Sequence, residues 1–326
     1  LKKENGSPSK KHMNRRTFVK SSLLAAVSLA AGKNAVAAET PAAPPTAKEQ
    51  VPKGKLCGKE VSRLLLGGNL LTHFTHSRDL RYVYNLTAHY NTDAKILETL
   101  AVAEEHGVNT LVIHTVPRAL SVLKEHRRRG GKMKWIICPT ATPGTDEYTQ
   151  MVKQLVDDGT DFIYLWGVQA DKLAAQDKAD VIAKAVETAK DHEVPCGVGA
   201  HDLKVIELCE EKKIPADFYI KTFHHHNYKT GPKPEQLQAP HSEIPGYWCK
   251  DPQRTIEVMK DVKKPWIAFK VMAAGAIPPE NAFKYVFENG ADFSLAGMFD
   301  FEIEPDVRIA NKTLAAIKNR ARPWYG

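Results

Sequence analysis

Ala103-Glu-Glu-His-Gly-Val-Asn-Thr-Leu-Val-Ile-His114 carries a helix end, a stop and a strand within twelve residues. The charged residues close an amphipathic run that begins at Asp93. Gly107 stands where a helix commonly ends in a left-handed residue, and a β-prone apolar run follows at once. The same order recurs at Asp157-Asp-Gly-Thr-Asp-Phe162 and at Glu288-Asn-Gly-Ala-Asp-Phe293. Each is a helix handing over to a strand, the repeating joint of a βα protein.

Working outward from that joint, short apolar runs alternate with amphipathic ones along the chain. Strands are predicted at 62–67, 110–114, 135–138, 162–166, 195–198, 218–223, 266–271 and 293–296. Helices are predicted at 93–106, 118–129, 146–158, 177–192, 204–213, 251–260, 279–289 and 306–319. Eight strands and eight helices in alternation predict a parallel sheet closed as a (β/α)8 TIM barrel in one domain. An open doubly wound sheet would call for a glycine-rich phosphate turn after an early strand, and Gly67-Gly68-Asn69 is only a fragment of one.

The first 37 residues stand apart. Asn14-Arg15-Arg16-Thr17-Phe18-Val19-Lys20 resembles a twin-arginine export signal, followed by a modest apolar run and by Ala35-Val36-Ala37 as a cleavage region. The run is too short and interrupted to span a bilayer. The expectation is an exported, periplasmic protein handled by the twin-arginine machinery, with residues 38–55 as a Pro/Ala-rich linker and 56–326 as the barrel. Residues 1–37 hold a net charge of +7 out of +8 for the chain. The remainder is almost neutral, which gives no electrostatic reason to expect nucleic acid as a partner. A small-molecule substrate is the expectation.

Two connections are long, 69–92 after the first strand and 225–250 after the sixth, and both fall on the face where barrels build their sites. With their aromatic and basic side chains they could roof a pocket for a polyhydroxylated ligand. Asn69, His73, His76, Arg78, Trp166, Asn227 and Trp248 are the candidate substrate-binding residues. The bland reading of any one of them is ordinary solvated loop.

Several segments resemble the aldo/keto reductase barrel. Val61-Ser-Arg-Leu-Leu-Leu-Gly-Gly68 is similar to that family's opening strand, and Ala103-Glu-Glu-His-Gly-Val-Asn109 to its approach to the second. Asp161-Phe-Ile-Tyr-Leu165 and Pro195-Cys-Gly-Val-Gly199 are similar to its fourth and fifth, and Phe269-Lys-Val-Met-Ala-Ala-Gly275 and Leu295-Ala-Gly-Met298 to its seventh and eighth. The resemblance implies a barrel fold and an NAD(P)-linked carbonyl reductase. The family's catalytic Asp, Tyr, Lys and His do not carry over. Val112 or His114 stands where the Asp belongs, and Val116-Pro-Arg-Ala-Leu120 offers no tyrosine. Cys138-Pro139-Thr140 lacks the lysine, and Trp166-Gly167 replaces the histidine. The acidic run Asp300-Phe-Glu302-Ile-Glu304-Pro-Asp306 also discourages a phosphate, unless its carboxylates cap the last helix, the role expected of Asp306.

The strand ends gather a different set. Asp217-Phe-Tyr-Ile-Lys221-Thr-Phe-His224-His-His226 ends a strand in imidazoles. His201, His224 and His226 are candidate ligands for a transition metal such as Zn, Mn, Co or Fe. Lys221, Lys270, His114 and Asp300 are candidate catalytic groups, either lysine moving a proton and Lys221 also placed to form a Schiff base. The leading expectation is therefore a metal-assisted lyase, isomerase or hydrolase on a small carbohydrate-like molecule without phosphate. The alternatives are an NAD(P)-linked oxidoreductase with a non-standard site and a non-catalytic sugar-binding barrel.

Overall fold

The computed structural model describes residues 48–78, 80–237 and 248–326. The export signal, most of the linker and part of the 225–250 connection lie outside the described residues. A hairpin of β1 (Lys53–Leu56) and β2 (Lys59–Ser62) comes first, turning at Cys57 and Gly58, both with positive φ. The strand thus begins inside the stretch expected to be linker. Leu56 and Val61 are buried against Phe162, Phe218 and Phe293, the first residues of three barrel strands, so the hairpin plugs the barrel's N-terminal end.

The barrel strands are β3 (Leu64–Gly67), β4 (Thr110–His114), β5 (Lys134–Cys138), β6 (Phe162–Leu165), β7 (Cys196–Ala200), β8 (Phe218–Thr222), β9 (Trp266–Phe269) and β10 (Phe293–Ala296). All pair in parallel, and β10 closes on β3 with Ser294 opposite Leu64. The predicted (β/α)8 barrel is the fold. Alternate residues fill two cores. Leu65, Val112, Ile136, Phe162, Ile220, Ile267 and Leu295 pack inside the barrel, while the intervening residues pack under the helices.

Ten helices are described: α1 (Tyr82–Tyr90), α2 (Asp93–Glu105), α3 (Pro117–Arg128), α4 (Asp146–Asp157), α5 (Gly167–Ala175), α6 (Ala179–Lys190), α7 (Leu203–Glu211), α8 (Pro252–Asp261), α9 (Pro279–Glu288) and α10 (Asp300–Ala316). Two were not anticipated. The helix α1 lies inside the long first connection, and α5 leaves β6 directly. The last helix starts six residues earlier than expected, because Glu302 bonds back to the Phe299 N–H and caps it. Asp306 is therefore buried inside the helix and does not cap its end.

The recurring joint has a physical cause. Gly107, Gly159 and Gly290 take φ of 76°, 81° and 105°, ending their helices. The polar residue two positions on then accepts a backbone N–H at or near the start of the neighbouring barrel strand. Asn109, Asp161 and Asp292 accept the backbone N–H of Ser62, Trp135 and Trp266 at 2.9 Å, and Asp217 accepts that of Cys196 at 2.8 Å. Beneath the barrel, Arg322 reaches from the C-terminal tail to Asp292 at 3.2 Å and to the carbonyls of Val262, Lys264 and Gly290.

Candidate active site

The C-terminal mouth of the barrel opens into a cavity of about 810 Å³. Its floor is Tyr164 and Val112 from the lumen, its walls the connections after β3, β9 and β10, and Gly67, Gly68 and Gly297 keep the backbone close. A Cβ on Gly68 would lie 2.5 Å from the Ile113 side chain, so this strand end stays bare.

Two glycines build the polar corner. A Cβ on Gly199 would meet the Gly167 nitrogen at 2.8 Å and the Leu165 carbonyl at 2.9 Å. Without side chains there, α5 starts hard against β7 and brings Asp171 beneath His201. One Asp171 oxygen lies 2.7 Å from His201 Nδ1, and the other accepts the backbone N–H groups of His201 and Asp202, each at 3.0 Å. Nδ1 thus carries a proton toward the carboxylate, which leaves Nε2 as the nitrogen for acid/base work.

The His201 ring lies 5.6 Å from the Phe269 ring, and the Lys270 ammonium stands 5.0 Å above the same ring. Lys270 follows β9 in a left-handed conformation with φ of 58°. Burial lowers its pKa from 10.5 to about 7, helped by the charge of Lys221 and opposed by Asp171. His76 falls to about 3 through burial and the charges of Lys270 and His201, so it is neutral. Burial also lowers His114. Phe74 separates these two rings, edge-on to each at 5.7 Å. The Tyr164 phenol stays protonated because burial and Cys138 push its pKa well above 10.

Of the residues proposed from sequence, Asn69, His76, His114, Trp166, His201 and Lys270 line this cavity. The sixth-strand cluster does not. His224 receives the Cys249 N–H at 3.2 Å and its other nitrogen lies 3.1 Å from the Lys270 carbonyl. His226 is bonded to the Cys249 carbonyl at 2.5 Å. Both pin the ends of a long connection. Lys221 alternates to the helix-facing side of β8 because Phe218 and Ile220 take the lumen.

The remaining candidates hold the scaffold together. Asp300 lies 3.1 Å from Lys95 and accepts the Tyr90 hydroxyl at 2.7 Å, joining α10 to α1 and α2. His73 is bonded to the Asn91 carbonyl and to Arg118. Arg78, Asn227 and Trp248 lie away from the cavity lining. The residues that sequence reasoning missed are Asp171 and Tyr164. Tyr164 was recoverable, being two residues from Phe162 on one strand face. Asp171 was not, because its helix was unforeseen.

No family model matches this chain, and no curated protein does. Solved structures do match in fold. Two described as putative aldo-keto reductases from Pseudomonas aeruginosa superpose with TM-scores of 0.53 and 0.55, each at 16% identity. They cover 80% and 82% of this chain and 95% and 97% of their own. An NADPH complex of a Gox0644 variant gives 0.54 at 10% identity, covering 82% of this chain and 93% of its own. At such identities the likeness is one of fold.

These findings correct the leading expectation. Among the described residues no group of three or more His, Cys, Asp or Glu is placed to hold a metal ion. The similar barrels include two described as putative aldo-keto reductases and one in complex with NADPH. The metal-assisted lyase, isomerase or hydrolase is therefore withdrawn, and the metal-ligand roles of His201, His224 and His226 with it.

Proposed function

We propose that this protein is a nicotinamide-linked oxidoreductase for a small carbonyl or alcohol substrate, using a His–Asp pair and a lysine where related barrels use a tyrosine. The observation that carries this reading is the meeting of the Asp171–His201 pair with Lys270 over one aromatic ring, in one deep cavity.

The cavity suits a nicotinamide dinucleotide in volume and in donors. Leu70, Val271, Ile277 and Phe299 give apolar surface for flat rings. In the loop after β9, the N–H groups of Met272, Ala274 and Gly275 make no hydrogen bond among the described residues, and loops after the last two strands are where barrels commonly hold phosphates. Glu302 and Asp306 lie on the same lining and disfavour a further phosphate, which supports NAD(H) over NADP(H).

When bound, the cofactor supplies or accepts the hydride. Lys270, as the ammonium, polarises the carbonyl oxygen and stabilises the charge that builds on it. His201 delivers the proton from Nε2, and Asp171 holds the ring and stabilises its charged form. In the reverse direction His201 takes the alcohol proton. Phe74 and Trp166 add aromatic surface to the lining, which disfavours water beside the reacting atoms.

Export through the twin-arginine route, proposed from Arg15-Arg16 and its flanking residues, agrees with a cofactor bound before the folded protein leaves the cytoplasm. The test is transfer of deuterium from deuterated NADH to a panel of small aldehydes and ketones. Labelled alcohol from the wild type and none from His201→Ala supports the reading; label formed equally by both contradicts it.

A further inference from the structure

A second groove, of about 620 Å³, opens on the outer layer of the barrel between α7 and α8. We propose that it binds a small oxyanion, a phosphate or carboxylate group, with Lys221 at its centre. The proposal does not rest on the nicotinamide reading.

Lys221 is only 1% exposed, yet it lines this groove. Its ammonium donates one hydrogen bond, to the Thr222 carbonyl at 2.8 Å, and has no carboxylate partner among the described residues. A lysine amine has further N–H donors to offer beyond that bond. A buried lysine with no carboxylate in direct contact is costly in its charged form, and a bound anion would lower that cost.

The surroundings select the same chemistry. Lys250 and Arg254 line the groove beside Lys221, and the first turns of α7 and α8 face it. Its carboxylates are already engaged. Asp202 accepts the Lys204 N–H at 3.0 Å and Asp251 that of Arg254 at 2.9 Å, each as a helix cap. Glu207 lies 3.1 Å from Arg254. Lys250 makes no ion pair among the described residues. With three carboxylates around its rim, the groove suits one compact anion and not an extended polyanion.

The position also has a consequence. His201 lines both this groove and the main cavity. The charge of Lys221 reaches Lys270 and opposes its protonation. An anion seated on Lys221 offsets that charge and favours the ammonium form of Lys270, so occupancy of one site is read at the other.

The test is thermal unfolding of the full chain titrated with inorganic phosphate and, in a separate arm, with acetate, at ionic strength matched by sodium chloride. A saturable rise in melting temperature of about 2 °C or more is expected in at least one arm. The rise is lost in Lys221→Met, whose apolar side chain fills the same buried space, and is reduced in Lys250→Ala, a surface change that leaves the fold alone. Phosphate also stabilises proteins non-specifically by exclusion from their surface. No saturable rise in the wild type, or a rise as large as the wild type's in both Lys250→Ala and Lys221→Met, overturns the proposal. If Lys221→Met does not fold, calorimetric titration of phosphate into wild type and Lys250→Ala decides it by the same criterion.

Discussion

The Asp171 carboxylate clasps His201 twice, through its ring Nδ1 at 2.7 Å and its backbone N–H at 3.0 Å. The two residues stand on different elements, α5 and the end of β7, joined where Gly167 and Gly199 let backbone meet backbone. That clasp fixes the ring's tautomer and direction before any substrate arrives.

The first prediction concerns the clasp. Asp171→Asn keeps the shape and removes the charge, so the His201 ring can flip its tautomer. Turnover should fall roughly 10²-fold or more, a usual size for a disabled acid/base group. Rates measured beside far-ultraviolet circular dichroism check it, with the dichroism unchanged and the loss greater in kcat than in KM.

Lys270 gives the second. Its pKa of about 7 makes it an ammonium below that pH and an amine above it. Carbonyl reduction should therefore decline as pH rises through 7, and Lys270→Met should be slow and lack that inflection. Stability has the opposite sense. The folded pKa lies below the unfolded value, so protonation favours the unfolded chain. The cost is fully present below pH 7 and fades toward pH 10.5. Lys270→Met should unfold at a higher temperature than the wild type at pH 6, and the gap should close by pH 10.

Asp306 provides the third. Burial and the charges of Glu302 and Glu280 raise its pKa to about 7. The folded state holds this proton more tightly than the unfolded chain, so stability is lost as pH rises from about 4 to 7 and stays lost above. Asp306→Asn should match the wild type near pH 4 and exceed it by on the order of 2 kcal/mol at pH 8. The same substitution should narrow any preference for NADH over NADPH in equilibrium binding, because one carboxylate facing the cavity is gone.

The fourth lies beneath the barrel. Arg322 and Asp292 are buried together, and Arg322 also holds three backbone carbonyls. Arg322→Ala leaves Asp292 without its closest counter-charge and should cost about 3–5 kcal/mol in chemical denaturation. Asp292→Asn should cost less, since its one remaining oxygen can still accept either the Trp266 or the Tyr325 N–H, which the carboxylate holds on separate oxygens.

The barrel was legible because its joints are local. Gly107, Gly159 and Gly290 end helices through their own backbone angles, and the Asn or Asp two residues later marks the start of the next strand while its side chain ties back to the preceding one. The helix stop, the polar residue and the strand start lie within a few positions of one another, and that spacing carries the information. The site was half legible. His114, His201 and Lys270 sit at strand ends, which a barrel sends to one mouth. The sixth-strand histidines misled because β8 ends at Thr222 and the chain then departs from strand alternation. His224 and His226 follow the loop and bind its backbone. Asp171 stayed hidden because its partnership with His201, thirty residues on, depends on Gly167 and Gly199 meeting in space, and no periodicity in the chain records that.

The most direct measurement is an equilibrium titration of the purified protein with NADH, followed by the cofactor's own fluorescence. The account predicts saturable binding of one NADH per chain, tighter than NADPH and weakened about tenfold or more when Ala276→Phe fills the cavity wall. Absence of saturable binding by either cofactor, or binding that Ala276→Phe leaves untouched, would contradict it.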